Sequence, residues 1–482
     1  MKIADPLRDT AIHRPHDPAL VTPGRTLSYR TLDRVVTATA AHLRAIGVEP
    51  GMVVALYLPR TWQAVVVLMA ILRAEAIASP FSTRWPPERV VDRLKQIQSV
   101  LLITDDRAVT VAAEDEAAVL PASTVLLTGR SERRTEPWPL SVDHPATIVF
   151  TSGSSGSPKA ALHTIGNHYF SAEGSNRNIP LGPGDRWLLS LPLYHVGGLA
   201  ILFRCWLAGA AAVIAGPETD LPHALTAHRI THVSMVPTQL RRLLEAAEED
   251  AAAGTLSALL LGGGPLPEAL LETAHARGYP LHATYGMTET SSQVTTTPPG
   301  APLSRLKTAG QRLQHRDLRI SADREILVRG NVLFRGYVVG DTIQDPRDAD
   351  GWFHTGDQGR VDDQGYLHVR GRADNQFVSG GENIQPEEIE RALVQLDDVR
   401  RAVVVPVPDE EFGQRPAAFV DTVTEASPSH LARQLETTLP RFMVPVQFYP
   451  WPASADHTGG VKVRRAALRN EARRRQKTNR SS

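Results

Sequence analysis

The chain has 482 residues with Lys+Arg and Asp+Glu balanced at 52 each, so no overall field favours nucleic acid or an anionic membrane. Its 42% hydrophobic content suffices for large buried cores, and its length suggests about three domain-sized units. A single cysteine, Cys205, excludes an internal disulfide and a cysteine-based metal cluster; the N-terminus lacks a signal-peptide core and no run reaches transmembrane length, so a cytoplasmic protein without a membrane partner is expected.

In chain order, Val53–Leu58 reads as a strand, Thr61–Arg73 and Glu88–Gln98 as helices, and Val100–Thr104 as a strand. The apolar run Ala146–Phe150 then leads into Thr151-Ser152-Gly153-Ser154-Ser155-Gly156-Ser157-Pro158-Lys159. Glycines let backbone N–H groups approach an anion, hydroxyls add donors and the lysine adds charge, a composition suited to wrapping phosphates. The order Gly153-x-x-Gly156-x-x-Lys159 is not Walker A spacing, which disfavours a P-loop NTPase. A flexible Ser/Gly linker is the alternative for the glycines and serines taken alone.

Arg186–Leu191, Ala211–Ile214 and His232–Val236 read as strands. Gln239–Glu249 is a helix with Leu240, Leu243 and Leu244 on one face, and Leu256–Leu261 is a strand running into Gly262-Gly263-Gly264. This alternation predicts an α/β protein with helix-covered, mainly parallel sheets. Within it, Arg204 interrupts the apolar helical run from Leu199 to Leu207. A buried guanidinium needs an anionic partner, so a structural ion pair and a second substrate carboxylate are both open, as is a snorkelling surface arginine.

From about Ile320 the pattern changes to short strands with turns, as in Glu325–Arg329 and Tyr366–Val369, which predicts a small β region. Beyond it, a helix at Pro386–Leu396, a strand at Arg401–Val407 and a helix at Pro428–Leu439 predict a compact α+β unit. The expected organisation is a large N-terminal domain over 1–370, a joint at 371–374 and a small C-terminal domain over 375–482. The basic tail, Arg469 to Arg480, reads as a frayed terminus rather than a nucleic-acid arm.

Five segments follow one another in order: the loop 150–164, Tyr285-Gly286-Met287-Thr288-Glu289, Gly351-Trp352-Phe353-His354-Thr355-Gly356-Asp357, the stretch from Gly365 to Asp374, and the stretch from Ser379 to Glu390. In this order and at these separations they resemble the adenylate-forming superfamily of acyl- and aryl-CoA ligases, peptide-synthetase adenylation domains and luciferases, over nearly the whole chain. The resemblance implies an AMP-forming enzyme that uses Mg²⁺ and takes ATP, CoA and a small-molecule carboxylic acid. Thr151, Ser152, Gly153, Ser154, Ser155, Gly156 and Lys159 would hold the β- and γ-phosphates. Thr288 would donate to the α-phosphate, and Glu289 with Thr151 would hold Mg²⁺. Tyr285 and Gly286 would bind ATP, and the Gly262-Gly263-Gly264 segment would flank the adenine, although a tight strand exit also explains the three glycines. Asp357 would take the ribose hydroxyls, with Arg372 reaching the ribose or a phosphate. Asp374 matches the hinge on which the small domain swings between two half-reactions, and Gly380 and Gly381 match the pantetheine tunnel. Lys462 would be the mobile catalytic lysine. Its loop departs from the usual pattern, with no leading proline and with Val461 between Gly460 and the lysine. Ser155 and Ala160 are further departures, standing where the superfamily usually has Thr and Gly.

Wider stretches narrow the resemblance: Lys159–Thr164, Leu189–His195 with Arg204, Val236–Leu244, Phe377–Glu388, Phe412–Pro416 and the Gly-Gly-Val-Lys-Val loop. They are similar to the o-succinylbenzoate–CoA ligases of menaquinone synthesis. That resemblance implies a substrate with two carboxylates, the succinyl one activated and the aromatic one held by Arg204. His195 would contact the reacting carboxylate or gate the pocket; plain packing is its other reading. A ligase for a monocarboxylate and an enzyme that loads a carrier protein are the alternatives. Homo-oligomerisation is left open.

Overall fold

The computed structural model describes residues 1–127, 139–151, 158–216, 219–246, 254–379, 382–423, 426–452 and 465–480. Among them, two large mixed sheets form the N-terminal part. The first has eight strands in the spatial order Thr342–Gln344, Gly336–Val339, Lys159–Thr164, Pro145–Thr151, Ile77–Pro80, Val53–Tyr57, Leu101–Thr104 and Ala118–Leu120. The second has nine, from Gln311–Arg312 through Ser292–Thr296, Leu281–Met287, Ala258–Leu261, His232–Met235, Arg186–Leu188, Ala211–Val213 and Pro18–Thr22 to Arg25–Ser28.

The expected parallel pairing holds in the interior of both sheets, where helices link successive strands. Antiparallel pairs form where the chain doubles back through short turns or loops, while the edge strand Ala118–Leu120 stays parallel to Leu101–Thr104. The strand expected at Arg186–Leu191 stops at Leu188, before Pro192.

The helix Trp62–Arg73 is capped by Thr61, whose hydroxyl accepts from the Ala64 N–H, and is buried along almost its whole length. A helix apolar all round belongs inside a core. Its last residue, Arg73, is buried too, and is compensated: it pairs with Asp5 at 2.6 Å and Asp33 at 2.8 Å, and Asp33 also accepts from the buried Arg8. The helix Val196–Ala208 carries Arg204 among Phe203, Cys205 and Trp206, all almost fully buried.

The expected small β region is a four-stranded antiparallel sheet, Arg316–Ile320, Glu325–Gly330, Phe353–Val361 and Leu367–Arg372. The α+β unit beyond it pairs Val399–Asp409 with Gly413–Thr422 and adds Gln447–Pro450 in parallel, with the helices Pro386–Val394 and Pro428–Glu436.

The tail corrects the sequence reading. Instead of fraying, Arg465–Arg480 is a helix. Leu468 and Ala472 are buried against Val403, Val405, Val407, Ala417 and Phe419 of the C-terminal sheet. Arginines crowd its exposed face, so composition alone concealed the two-residue apolar contact that anchors it.

Candidate active site

Strand pairing assembles the first part of the site. Lys159 opens the strand Lys159–Thr164 directly opposite Thr151, which ends Pro145–Thr151. The two flanks of the expected phosphate loop therefore stand side by side. Ser152, Gly153, Ser154, Ser155 and Gly156, which would form its tip, lie outside the described residues, as do Gly380, Gly381 and Lys462.

The strand Leu281–Met287 carries Tyr285 and Gly286 and turns through Thr288–Thr290 into Ser292–Thr296. At Gly286 only glycine fits, since a Cβ would lie 1.7 Å from the Ser292 carbonyl oxygen. The turn is pinned from two sides. The Phe334 N–H donates to the Glu289 carbonyl at 2.9 Å. The His163 ring lies 2.7 Å by its Nε2 from the Thr288 carbonyl. Burial lowers the His163 pKa to about 4, so the ring is neutral and its Nε2–H donates to that carbonyl. Thr288 and Glu289 are themselves half-buried.

The Glu289 carboxylate accepts from the Tyr337 hydroxyl at 2.8 Å, and the Lys159 ammonium lies 4.8 Å from the centre of the Tyr337 ring. Tyr337 thus joins two predicted residues 130 positions apart. The sequence reading missed it; an aromatic after Gly336 was the only local signal, and the strand register that makes it meaningful is long-range.

A second group forms around Asp357. Tyr285 donates to its Oδ2 at 2.7 Å, Arg372 Nη1 lies 3.4 Å from its Oδ1, and its own N–H donates to Thr355 Oγ1 at 3.0 Å. Burial, reinforced by the Asp357 charge, drives the Tyr285 phenol well above its ordinary range, so it stays a donor. Burial alone would lower the Arg372 pKa, but Asp374 at 3.0 Å and the Asp357 charge carry it upward. Asp374 itself sits in the short turn Ala373–Asn375 after the last strand of the four-stranded sheet.

Gly262, Gly263 and Gly264 exit the strand Ala258–Leu261 next to Leu281–Met287, and Gly263 has φ +82°, a conformation glycine supplies without strain. His195 caps the helix Val196–Ala208 by position and packs edge-on to Tyr194, with ring centres 4.8 Å apart.

Arg204 is 1% exposed, which rules out the snorkelling reading. Its Nη2 donates to Gln293 Oε1 at 2.8 Å and Ser292 Oγ at 3.1 Å, and the guanidinium lies 5.2 Å from the Trp187 ring centre. Its Nε has no hydrogen-bond partner, and no described carboxylate pairs with it. Burial lowers its pKa to about 10. Arg316, which the sequence reading also missed, is 2% exposed and donates to the Gln293 carbonyl, while its Nη2 has no partner. Burial, with the Arg204 charge next, lowers its pKa to about 9.

No cluster of three or more His, Cys, Asp or Glu side chains capable of caging a metal occurs among the described residues. A single carboxylate beside phosphate-binding groups suits Mg²⁺, which typically takes one or two protein oxygens and fills its sphere with phosphate and water. Glu289, with Thr151 and Lys159 nearby in the fold, fits that pattern.

The AMP-binding enzyme profile matches residues 7–338, and the profile of the AMP-binding enzyme C-terminal domain matches 388–458. A 2-succinylbenzoate–CoA ligase of Bacillus cereus (strain AH820) is 34% identical over 448 residues, spanning 89% of this chain and 92% of the relative. Two Bacillus subtilis o-succinylbenzoate CoA synthetase structures superpose on this one. The complex with the acyl-adenylate intermediate OSB-AMP gives a TM-score of 0.88 at 29% identity, over 97% of this chain and 98% of that one. The complex with ATP and magnesium ion gives 0.86 at 30% identity, over 93% and 96%.

Proposed function

Because the chain belongs to the AMP-binding enzyme family, we infer that it is an AMP-forming ligase that converts o-succinylbenzoate into its CoA thioester through an acyl-adenylate. Its substrates are ATP, CoA and the dicarboxylic acid, and it uses Mg²⁺. The product belongs to menaquinone synthesis. We also infer a cytoplasmic enzyme; among the described residues no helix is long and apolar enough to cross a membrane.

In the first step a carboxylate oxygen of the acid attacks the α-phosphorus of ATP and pyrophosphate leaves. In the second, the CoA thiol attacks the acyl carbon and AMP leaves. Two anions meet in the first step, so the protein must hold them in line and offset their charge. Lys159, with Thr151 and the loop Ser152–Gly156, holds the β- and γ-phosphates. Thr288 donates to the α-phosphate. Asp357, fixed by Tyr285 and Arg372, accepts from the ribose diol. Glu289 holds Mg²⁺, which when bound offsets phosphate charge. Lys462 stabilises charge on the attacking and bridging oxygens, His195 faces the reacting carboxylate, and Gly380 and Gly381 line the path of the pantetheine arm.

One observation supports the dicarboxylate over a monocarboxylate. Aspartates lie against the buried Arg8 and Arg73, whereas Arg204 and its neighbour Arg316 are buried with no described carboxylate against either. Arg204 is as deeply buried, no described acid pairs with it, and it retains an unpartnered N–H. An uncompensated buried cation costs several kcal/mol, so an anion that arrives with the substrate is the natural partner. The spectator carboxylate of o-succinylbenzoate supplies it.

The assay is thioester formation with ATP, Mg²⁺ and CoA against o-succinylbenzoate, benzoate, 4-coumarate and a medium-chain fatty acid. Strong preference for o-succinylbenzoate is expected. Equal turnover of benzoate would remove the role given to Arg204 and leave the adenylation chemistry standing.

A further inference from the structure

One side chain bridges the two opposite charges of the nucleotide site. Strand Gly336–Val339 runs antiparallel to Lys159–Thr164 with Tyr337 opposite Ala161. Lys159 lies two residues before Ala161 and so shares its face of the sheet, on the diagonal from Tyr337. Ala161 is small and buried, which leaves room for the phenol. The ring presents its face to the Lys159 ammonium at 4.8 Å, within the range of a cation–π contact. Its hydroxyl donates to Glu289 Oε1 at 2.8 Å. Phe334 packs edge-on against the same ring at 4.8 Å, while its own N–H holds the Glu289 carbonyl. The segment 334–337 therefore grips Glu289 at both backbone and carboxylate.

A lysine and a carboxylate this close to one shared neighbour would, with nothing between them, form an ion pair. That pair would occupy the charge that each is to offer to phosphate and to metal. We propose that Tyr337 is a positioning residue that keeps Lys159 and Glu289 apart, aims the carboxylate through its hydroxyl and holds the ammonium over its ring. A neutral phenol performs this without offsetting either charge. This inference rests on the adenylation-site reading above and adds a residue to it.

The test is equilibrium binding of ATP by calorimetry across a Mg²⁺ titration, on the full chain, for wild type, Y337F, Y337L, E289Q and the double variant Y337F/E289Q. Y337F keeps the ring and loses the hydroxyl. It should raise the Mg²⁺ concentration at half-saturation by roughly tenfold, the worth of a hydrogen bond to a charged group, with Mg²⁺-free ATP binding unchanged. Y337L also frees the lysine to pair with Glu289, so Mg²⁺-free binding should weaken as well. In the E289Q background, Y337F should add nothing. The KM for o-succinylbenzoate should stay within about twofold of wild type in both single Tyr337 variants, whereas a general structural lesion would move it. Should Y337L fail to fold, the near-isosteric Y337F decides alone. An unchanged Mg²⁺ midpoint in Y337F, or an undiminished effect of Y337F on E289Q, overturns the role of Tyr337. Wild-type protein that binds no ATP at any Mg²⁺ concentration would overturn the site itself.

Discussion

At the scale of single residues, the molecule is decided by a few groups that are expensive to bury. Arg204 and Arg316 touch the two ends of one residue, Gln293: Arg204 donates to its side chain and Arg316 to its carbonyl. Replacing Arg204 by Met should raise the KM for o-succinylbenzoate between ten- and a hundredfold, as expected for losing a hydrogen bond to a charged group, with the KM for ATP unchanged. Steady-state kinetics in both substrates check this; an unchanged acid KM would sink the assignment. Arg204 was legible in the sequence as a charge inside an apolar helical run. Arg316 was not, because Gln314-His315-Arg316-Asp317 reads as a polar turn and only the tertiary fold buries it. His163 was equally hidden, and it carries a pH signature. In the unfolded chain its imidazole binds a proton below about pH 6.5, but in the folded chain not until about pH 4. Between those values the unfolded state holds more protons, so stability falls as pH falls, by roughly 3 kcal/mol across the window. His163→Gln keeps a donor for the Thr288 carbonyl and does not titrate. Calorimetric melting of the variant from pH 6.5 to 4.5 should show a shallower loss than wild type; parallel curves would mean that His163 is not buried neutral.

At the scale of elements, local pattern predicted what local pattern controls. The helix Trp62–Arg73 was readable to within one residue because its cap and apolar run are contiguous. The C-terminal helix was misread because what orders it is distant in sequence. Arg465, at its first residue, donates to Glu390 and lies 3.2 Å from Glu387, both on the helix Pro386–Val394, and also reaches the Val404 carbonyl. The Glu390 side chain is 12% exposed, and its burial raises its pKa even with Arg465 alongside. Removing the cation leaves a largely buried carboxylate without its counter-charge, with the Val404 N–H still donating to it at 2.7 Å; breaking a buried pair typically costs about 3–5 kcal/mol. Arg465→Met should therefore destabilise the C-terminal unit by that order, and Arg465→Met combined with Glu390→Gln should recover most of the loss. Urea unfolding followed at Trp451, which lies under the Arg401 guanidinium in that unit, reads it out. Equal stability of Arg465→Met and wild type would show that the helix is held by Leu468 and Ala472 alone.

At the scale of the whole molecule, the chain has a large N-terminal domain and a small C-terminal domain, and we propose that the joint between them lies near Asp374. The described groups expected to hold ATP, at Thr151, Lys159, Thr288, Glu289, Asp357 and Arg372, all stand on strands or on the turns between them. Across the segment near Asp374, Gln385 donates to Arg372 O at 2.9 Å, Arg391 to Arg370 O at 3.0 Å and Asn375 to Glu387 Oε1 at 2.5 Å. Polar contacts of this kind are compatible with the proposed pivot. The presence of a large and a small domain was legible in the sequence as a change of pattern, because domain cores are local in the chain even when their contacts are not. It has a kinetic consequence. Lys462 belongs to the smaller unit and is assigned to the adenylation step, whereas the acceptor thiol arrives in the second step. Lys462→Ala should therefore slow acid-dependent ATP–pyrophosphate exchange by roughly 10²–10³-fold, the usual cost of removing one preorganised charge partner. Conversion of synthetic o-succinylbenzoyl adenylate to thioester by the same variant should stay within a few-fold of wild type. If both half-reactions fall together, the lysine serves the fold or the whole site rather than one step, and the division of labour between the two units fails with it.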